Sequence, residues 1–173
     1  MDENKSEFLK ECIADAIIDL MHKKPLAKIT VNEIVNHAGV GRATYFRHFS
    51  SKEEAIIFKR RLLWRRYCDD LGITVRDRFF VSNAPAFFRF IYENRELSLL
   101  IYSTGNKAML YNTYKGIAED APLGSDERFR EKFLLYGLMG LLDEWHLSNF
   151  KDSPEQMTKQ FEAIIASINS TEI

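Results

Sequence analysis

The sequence has few of the residues that interrupt helices and none of the long apolar runs that cross membranes. It contains 8 glycines and 4 prolines in 173 residues, and 46% of its residues are hydrophobic. The longest apolar stretch, residues 133–142, is about half the length that a transmembrane helix needs. The first residues are polar and acidic, without the basic start and apolar block of a signal peptide. We therefore expect an ordinary globular protein of the cytoplasm with no membrane partner.

Reactive side chains are also scarce. Cys12 and Cys68 are the only cysteines, and no histidines accompany them at a metal-binding spacing, so they predict neither a zinc site nor a disulfide. The one tight cluster of acids with a histidine, Asp143, Glu144 and His146, lies on a single helical stretch without a matching partner motif. We expect no enzyme activity, no metal and no cofactor.

Apolar residues recur at helical spacing along most of the chain, notably over 8–21, 31–38, 84–92, 125–150 and beyond 154. Shorter helical pieces are expected over 96–104 and 106–118, and Ser153 with Gln156 predicts a cap at the start of the last helix. No segment shows the sustained alternation of a strand. The predicted fold class is all-α.

The first third of the chain has the element order of a helix-turn-helix. A long helix stops before Pro25, and Thr30 with Glu33 forms a capping-box pattern at the start of a short helix. Gly39 suits the left-handed turn that ends this helix. A second short helix follows from Arg42, and Ser50-Ser51-Lys52-Glu53 predicts a second capping box before another long helix. This order places a second helix where it can enter a major groove.

Positive charge is concentrated in this part of the chain. Between His22 and Arg66 there are eleven Lys and Arg residues against three acids, although the whole chain has a net charge of -1. Such a block favours a polyanion-binding surface. Within it, Arg42, Thr44, Arg47 and His48 supply donors on the second short helix, and Lys52 and the helix N-termini near Thr30 and Ser50 can meet phosphates. The basic run over 59–66 is interpreted as a solvated face.

Residues 29–54, ITVNEIVNHAGVGRATYFRHFSSKEE, closely resemble the DNA-binding signature of the tetracycline-repressor (TetR) family. The resemblance extends over about residues 5–60 and preserves the spacing from the capping threonine to the H-F-x-x-K-E ending. It implies an N-terminal three-helix helix-turn-helix DNA-binding domain over 1–50. A helical regulatory and dimerisation domain is implied over 51–173, joined through a long helix from about residue 51.

The resemblance implies a sequence-specific transcriptional regulator, a repressor that a small apolar or amphipathic effector releases from DNA. A homodimer would bind a palindromic double-stranded operator. The residues expected to contact DNA, at base edges or phosphates, are Thr30, Asn32, Gly41, Arg42, Ala43, Thr44, Tyr45, Arg47, His48 and Lys52.

The chain departs from the family pattern at two of these positions. Tyr45-Phe46 stands where the family usually has an apolar residue and then a tyrosine, and Phe46 cannot donate a hydrogen bond to phosphate. Either Tyr45 replaces that contact, or Tyr45 is core and Phe46 packs against sugar. Gly41 stands where a serine is common, which removes a possible side-chain contact.

The resemblance also implies an effector pocket and a dimer interface in the C-terminal part. The candidate pocket residues are Phe80, Phe87, Phe88, Tyr92, Tyr102 and Tyr111. The candidate interface residues lie on the last two long helices: Phe133, Tyr136, Gly137, Gly140, Leu141, Trp145, Phe161, Ile164, Ile165 and Ile168. In both sets the alternative is plain packing within the subunit.

One other class of function stays open from the sequence. A helical ligand-binding or protein-interaction module could carry a helix-turn-helix that no longer binds operator DNA. The basic block argues against this reading, and a steep salt dependence of DNA binding would separate the two.

Overall fold

A computed structural model describes residues 3–74, 81–106, 108–109, 111–112 and 125–170. Helices dominate these ranges, which contain no strand, so the predicted all-α fold is confirmed. None of the described helices is long and apolar enough to cross a membrane. The helices are α1 (Glu3–Met21), α2 (Val31–Ala38), α3 (Arg42–His48), α4 (Lys52–Asp70), α5 (Ala84–Glu93), α6 (Arg95–Tyr102), α7 (Ser125–Leu147) and α8 (Pro154–Ser170).

The chain divides into two compact units. The first contains Met1–Arg65 and Leu100–Thr113, and the second contains Arg66–Leu99 and Tyr114–Ile173. Both α4 and α6 therefore contribute residues to each unit. The boundary expected at residue 50 concerns the extent of the DNA-binding part and stays a prediction.

The core of the first unit is mainly aliphatic. Helix α1 packs on α2, and α2 packs on α3. Ile13, Ile17, Ile34 and Ile56 are fully buried between these helices and α4. Burial of one such side chain contributes about 1.5–3 kcal/mol to the free energy of folding, so these four residues are a substantial part of the apolar core of the unit.

Charged side chains join α1 to α4 outside this core. Lys59 Nζ lies 2.8 Å from Glu11 Oε1 and 2.7 Å from Asp15 Oδ1, and Arg65 pairs with Glu7. The three acids follow one another at four-residue spacing and so share one face of α1. The solvated-face interpretation of the basic run was wrong for Lys59, whose side chain is 13% exposed. It was also wrong for Arg60, which is buried.

The second unit is joined by aromatic rings. Helix α5 packs on α8, and Phe88 of α5 contacts Trp145 of α7 and Phe161 of α8 edge to face at 5.8 and 5.9 Å. Tyr92 stacks on Trp145 at 6.1 Å. Trp145 and Phe161 are buried in these contacts. This burial favours, for these two residues, the alternative of packing within the subunit.

The connection between α7 and α8 is a tight turn around Phe150. Helix α7 ends at Leu147, three residues before the expected end, and Asn149 and Phe150 adopt the left-handed region with φ of 54° and 59°. A left-handed phenylalanine is strained, but its buried ring contacts Trp145 at 4.9 Å. The turn then leads to Ser153, whose predicted capping pattern with Gln156 at the start of α8 is confirmed.

Candidate nucleic-acid interface

The turn between α2 and α3 is built as the sequence predicts. Gly39 ends α2 with φ of 65°, and Val40 N–H donates to the Val35 carbonyl over 3.0 Å. A side chain at this φ would be strained, which explains the glycine. Gly41 is extended and immediately precedes α3, and it leaves the start of that helix without a side-chain cap. The two short helices pack directly against each other.

Helix α3 has one buried face and one exposed face. Tyr45 is 2% exposed and belongs to the core. Burial, followed by the charges of Glu53 and Glu54, raises the pKa of its phenol. A side chain so deeply buried offers no surface to DNA, so the alternative in which Tyr45 replaces the family's tyrosine contact does not fit this structure.

The opposite side of the helix presents four exposed residues, which we name the outer face of α3: Arg42, Ala43, Phe46 and Arg47. Arg47 makes no hydrogen bond or ion pair with the described part of the chain. Thr44 and His48 flank this face and are half-buried. The outer face therefore combines two positive charges, a small residue and an aromatic ring.

Arg42 joins the starts of the two short helices. Its Nη1 donates to Asn32 Oδ1 over 2.6 Å, and its guanidinium carbon lies 5.9 Å from the centre of the Phe46 ring. Its described contacts include no carboxylate. Its positive charge is thus held in a fixed place without being neutralised, which suits a group that is to meet a polyanion.

The start of α2 is fixed by the predicted capping box, which is confirmed. Thr30 N–H donates to Glu33 Oε2 over 2.9 Å, and Glu33 N–H donates to Thr30 Oγ1 over 3.3 Å. Glu33 also pairs with Lys24. The Lys24 ammonium, and then the amide and hydroxyl of Thr30, lower the pKa of Glu33 to about 2. Thr30 is exposed beside Asn32, but its hydroxyl is already engaged with Glu33.

Two residues predicted to contact phosphates have other partners or surroundings. Lys52 Nζ donates to the carbonyls of Leu26 and Ile29 over 2.6 and 3.0 Å, so its ammonium ties α4 to the segment before α2. The Nε2 atom of His48 is buried without a hydrogen-bond partner among the described residues. Burial, followed by the charges of Lys10 and Arg47, lowers the pKa of His48, which leaves the ring neutral at neutral pH.

The second predicted capping box is shifted by one residue. Ser51 Oγ accepts from Glu54 N–H over 3.1 Å, and Glu54 Oε2 accepts from the amide and hydroxyl of Ser50 over 2.7 Å. These hydrogen bonds, led by the one from the Ser50 amide, lower the pKa of Glu54. The expected pairing of Ser50 with Glu53 was therefore wrong, although α4 is capped as expected.

Residues 13–56 match the family model described as "Bacterial regulatory proteins, tetR family". This segment, about a quarter of the chain, is similar to the DNA-binding domain of that family. The protein is a DNA-binding transcriptional regulator, and the resemblance seen in the sequence is confirmed over this segment. The matched segment runs from α1 into the start of α4 and includes both short helices, so it covers every residue expected to contact DNA.

The effector-pocket residues expected from the resemblance are divided between the two units. Phe87 and Phe88 are buried against each other, with ring centres 5.7 Å apart. Tyr92 packs on Trp145, while Tyr102 and Tyr111 are half-buried in the other unit. Phe80 lies outside the described residues. A cavity of about 550 Å³ in the first unit is lined instead by the segment 21–27, by Glu53 and by residues near the end of α6.

The interface residues expected from the resemblance differ in exposure. Besides the buried Trp145 and Phe161, Leu141 and Ile165 are half-buried, and Ile164 is exposed. The side chain of Ile168 is not among those described. The most exposed set lies along one side of α7, and we name it the α7 apolar stripe: Phe133, Tyr136, Gly137, Gly140 and Leu147.

Two contacts of Arg42 in the candidate nucleic-acid interface, with Asn32 and with Phe46, were not predicted from the sequence. The sequence predicts packing of Phe46 against sugar as one alternative, whereas the structure shows this residue as the largest apolar side chain on the outer face of α3. The contact of Arg42 with Asn32 links residues ten positions apart on two helices, so no local spacing rule predicts it. The four-residue spacing of Arg42 and Phe46 was a readable signal.

Proposed function

We propose that the protein is a homodimeric repressor that reads a palindromic operator with the outer face of α3. One observation carries the proposal: Arg42 and Arg47 lie exposed on α3, without carboxylate partners in the described part of the chain, beside the capped start of α2. Side chains in this position of a helix-turn-helix reach base edges and phosphates in the major groove. Thr30, Asn32, Gly41, Ala43 and Thr44 complete the proposed contact surface.

Tyr45 is left out of this surface because it is buried, and Lys52 and His48 take a supporting part. Lys52 uses two of its three N–H donors on backbone carbonyls and keeps one for a phosphate. His48 is half-buried at the end of α3, where its ring helps to hold the helix in place. The charge that meets DNA is thus assigned to the two arginines.

The α7 apolar stripe supports the dimer. Phe133 and Tyr136 are 62% and 60% exposed, which is unusual for aromatic rings one turn apart on a helix. At Gly137 and Gly140 an added Cβ would meet no atom within 4 Å, so the surface of α7 is open at these two positions. A second copy of α7 can approach closely there, and two-fold symmetry would supply the paired α3 helices that a palindrome requires.

A selection from random double-stranded DNA with the full-length protein tests the proposal. We expect one palindromic sequence to be enriched and to be bound with a steep salt dependence, about one unit of log–log slope for each phosphate contacted. Arg42→Ala should weaken binding about ten- to a hundredfold per half-site and relax the preference at one base pair.

Two further variants make the selection decisive. Arg47→Ala should weaken binding to all sequences and lower the salt slope, because a phosphate contact carries no sequence information. Lys159→Ala is the matched control, since it removes an exposed charge from α8 and should leave affinity unchanged. Failure to enrich any sequence would contradict the proposal and favour the interaction module that has lost operator binding.

Release by a small effector and repression, rather than activation, are parts of the proposal that rest on the resemblance to the family. Of the side chains expected in the pocket, Phe87 packs on Phe88, and Tyr92 packs on Trp145. An effector would have to favour a conformation whose α3 helices are wrongly spaced for DNA. A regulator of this kind acts where bacterial DNA lies, so a cytoplasmic location belongs to the same proposal.

A further inference from the structure

Phe46 is an exposed aromatic ring held in a defined position on the outer face of α3. It is 57% exposed, although Tyr45 beside it is buried. The Tyr45 ring meets the Phe46 ring edge to face at 5.2 Å, and the Arg42 guanidinium lies 5.9 Å from the centre of the Phe46 ring. The ring is thus supported from two sides and leaves a free apolar surface next to a fixed positive charge.

We propose that Arg42 and Phe46 read the operator as a pair, with Arg42 binding a guanine and Phe46 covering the 5-methyl group of a neighbouring thymine. The inference rests on the proposed function and names the bases that the same surface recognises. It assigns to Phe46 a base-reading contact in place of the packing against sugar expected from the sequence.

The chemistry of the major groove supports the choice of thymine. Among the base edges of this groove, the thymine methyl is the apolar feature, and an aromatic side chain is a suitable partner for it. Phe46 has no hydroxyl with which to reach a phosphate, so a polar contact with the backbone is excluded for this side chain. Covering the methyl group removes apolar surface of both partners from water.

The geometry of the pair sets the spacing of the two bases. Neighbouring bases on one strand are about 3.4 Å apart along the helix axis, and the guanidinium lies 5.9 Å from the ring centre. We therefore expect the guanine and the thymine to be about one or two base pairs apart in each half-site.

Arg42 is prepared for guanine in the unbound protein. Among the residues that the structure describes, one of its five N–H donors is engaged, in the hydrogen bond from Nη1 to Asn32 Oδ1. The remaining donors suffice for the bidentate contact with guanine O6 and N7. Because Asn32 and Phe46 already limit the motion of the guanidinium, less conformational entropy is lost on binding.

Replacement of single thymines by deoxyuridine in the selected operator tests the pair, because it removes only the methyl group. For the wild-type protein we expect one thymine per half-site, next to the essential guanine, at which this change weakens binding about fourfold. In Phe46→Ala the same change should have no effect. Phe46→Leu should keep the dependence on the methyl group, because leucine can still cover it.

Phe8→Ala is the matched control, because Phe8 is a similarly exposed phenylalanine, 63% exposed, on α1. It should keep both the affinity and the full deoxyuridine effect. Thermal unfolding of each variant checks that the fold is retained.

The outcomes separate this inference from the proposed function. If a site is selected but replacement of thymine by deoxyuridine leaves binding unchanged at every position, recognition of a thymine methyl by Phe46 is wrong, while operator binding stands. A second outcome would also overturn the inference. If the wild type binds thymine and deoxyuridine operators equally well, and Phe46→Ala weakens binding to both by the same factor, Phe46 contacts sugar. If no site is selected at all, both proposals fall together.

Discussion

Charged side chains join the helices of the first unit around an aliphatic core, whereas aromatic rings join the helices of the second unit. In the first unit Lys59 bridges to Glu11 and Asp15. In the second unit Phe88 contacts Trp145 and Phe161. The difference shows where each unit can accept substitution. Surface ion pairs contribute modestly to the free energy of unfolding and depend on salt and pH. Buried rings contribute more, and their contribution depends on how well they fit their neighbours.

The comparison also explains why an exposed ring on α3 stands out. The first unit has buried Tyr45 and Phe49 near α3, so burial was available to aromatic residues there. Phe46 nevertheless lies 57% exposed between two arginines of the outer face. In a unit held by aliphatic burial and charge, that ring is better explained by a partner outside the subunit than by the fold.

The largest effect on stability is expected in the second unit. Trp145→Ala should lower the free energy of unfolding by about 3–5 kcal/mol, because the indole contacts Phe88, Tyr92 and Phe150 and leaves a large cavity when removed. Urea denaturation followed by circular dichroism measures this. Leu71→Ala, an exposed leucine of the same unit, should change stability by less than about 0.5 kcal/mol. Similar losses in the two variants would break the comparison.

The next largest effect is expected on the proposed dimerisation through the second unit. Gly140→Glu should raise the dimer dissociation constant at least about a hundredfold, because it places a carboxylate in the α7 apolar stripe. A Cβ added at Gly140 meets no atom within 4 Å in the subunit, so the monomer should fold as before. Sedimentation equilibrium gives the constant, and an unchanged dimer would remove the α7 stripe from the interface.

A smaller effect is expected for the ion pairs of the first unit. Lys59→Met should lower the free energy of unfolding by about 1–2 kcal/mol, because it removes the ammonium group that Glu11 and Asp15 share. This value lies between those for exposed and buried ion pairs. Arg47→Met, at an exposed arginine, should leave stability unchanged and weaken DNA binding. Thermal unfolding and DNA titration of both variants check this, and a loss of stability in Arg47→Met would be the contrary result.

The smallest effect is a pH dependence of the first unit. The pKa of Glu33 is lowered from its ordinary value of 4.5 to about 2, so its contribution is complete above pH 4.5 and is lost as the pH falls towards 2. Glu33→Gln should therefore be less stable than the wild type at pH 6, and the gap should narrow on acidification. Unfolding curves across this range measure it, and a gap that widens would contradict the assignment.

The local signals of the sequence predicted much of the fold. The capping pattern at Thr30, the left-handed Gly39 and the cap at Ser153 depend only on residues within one or two turns, and all three are confirmed. The cap of α4 is shifted by one residue because Ser50 and Ser51 offer equivalent hydroxyls and Glu53 and Glu54 equivalent carboxylates. Composition alone does not distinguish such neighbours.

Contacts between distant residues could not be predicted in the same way. Helix α7 is apolar on both faces, so periodicity did not separate the buried Trp145 from the exposed Phe133 and Tyr136. The sequence predicts Lys59 on a solvated face and Lys52 at a phosphate, because the partners that both residues contact lie on other segments. In the candidate nucleic-acid interface, the hydrogen bonds of Arg42 to Asn32 and of Lys52 to backbone carbonyls join residues that are distant in the sequence, so they required the structure.

The double hydrogen bond of Lys52 to the carbonyls of Leu26 and Ile29 has a consequence for amide hydrogen exchange. The backbone hydrogen bonds of the loop before α2 join residues that are close in the sequence, for example Ile29 N–H to Leu26 O at 3.1 Å. A loop of this kind normally opens and exchanges long before the helices around it. Because an ammonium group on α4 holds its carbonyls, the Ile29 amide should instead exchange together with those of α4, and the loop and that helix should open as one cooperative unit.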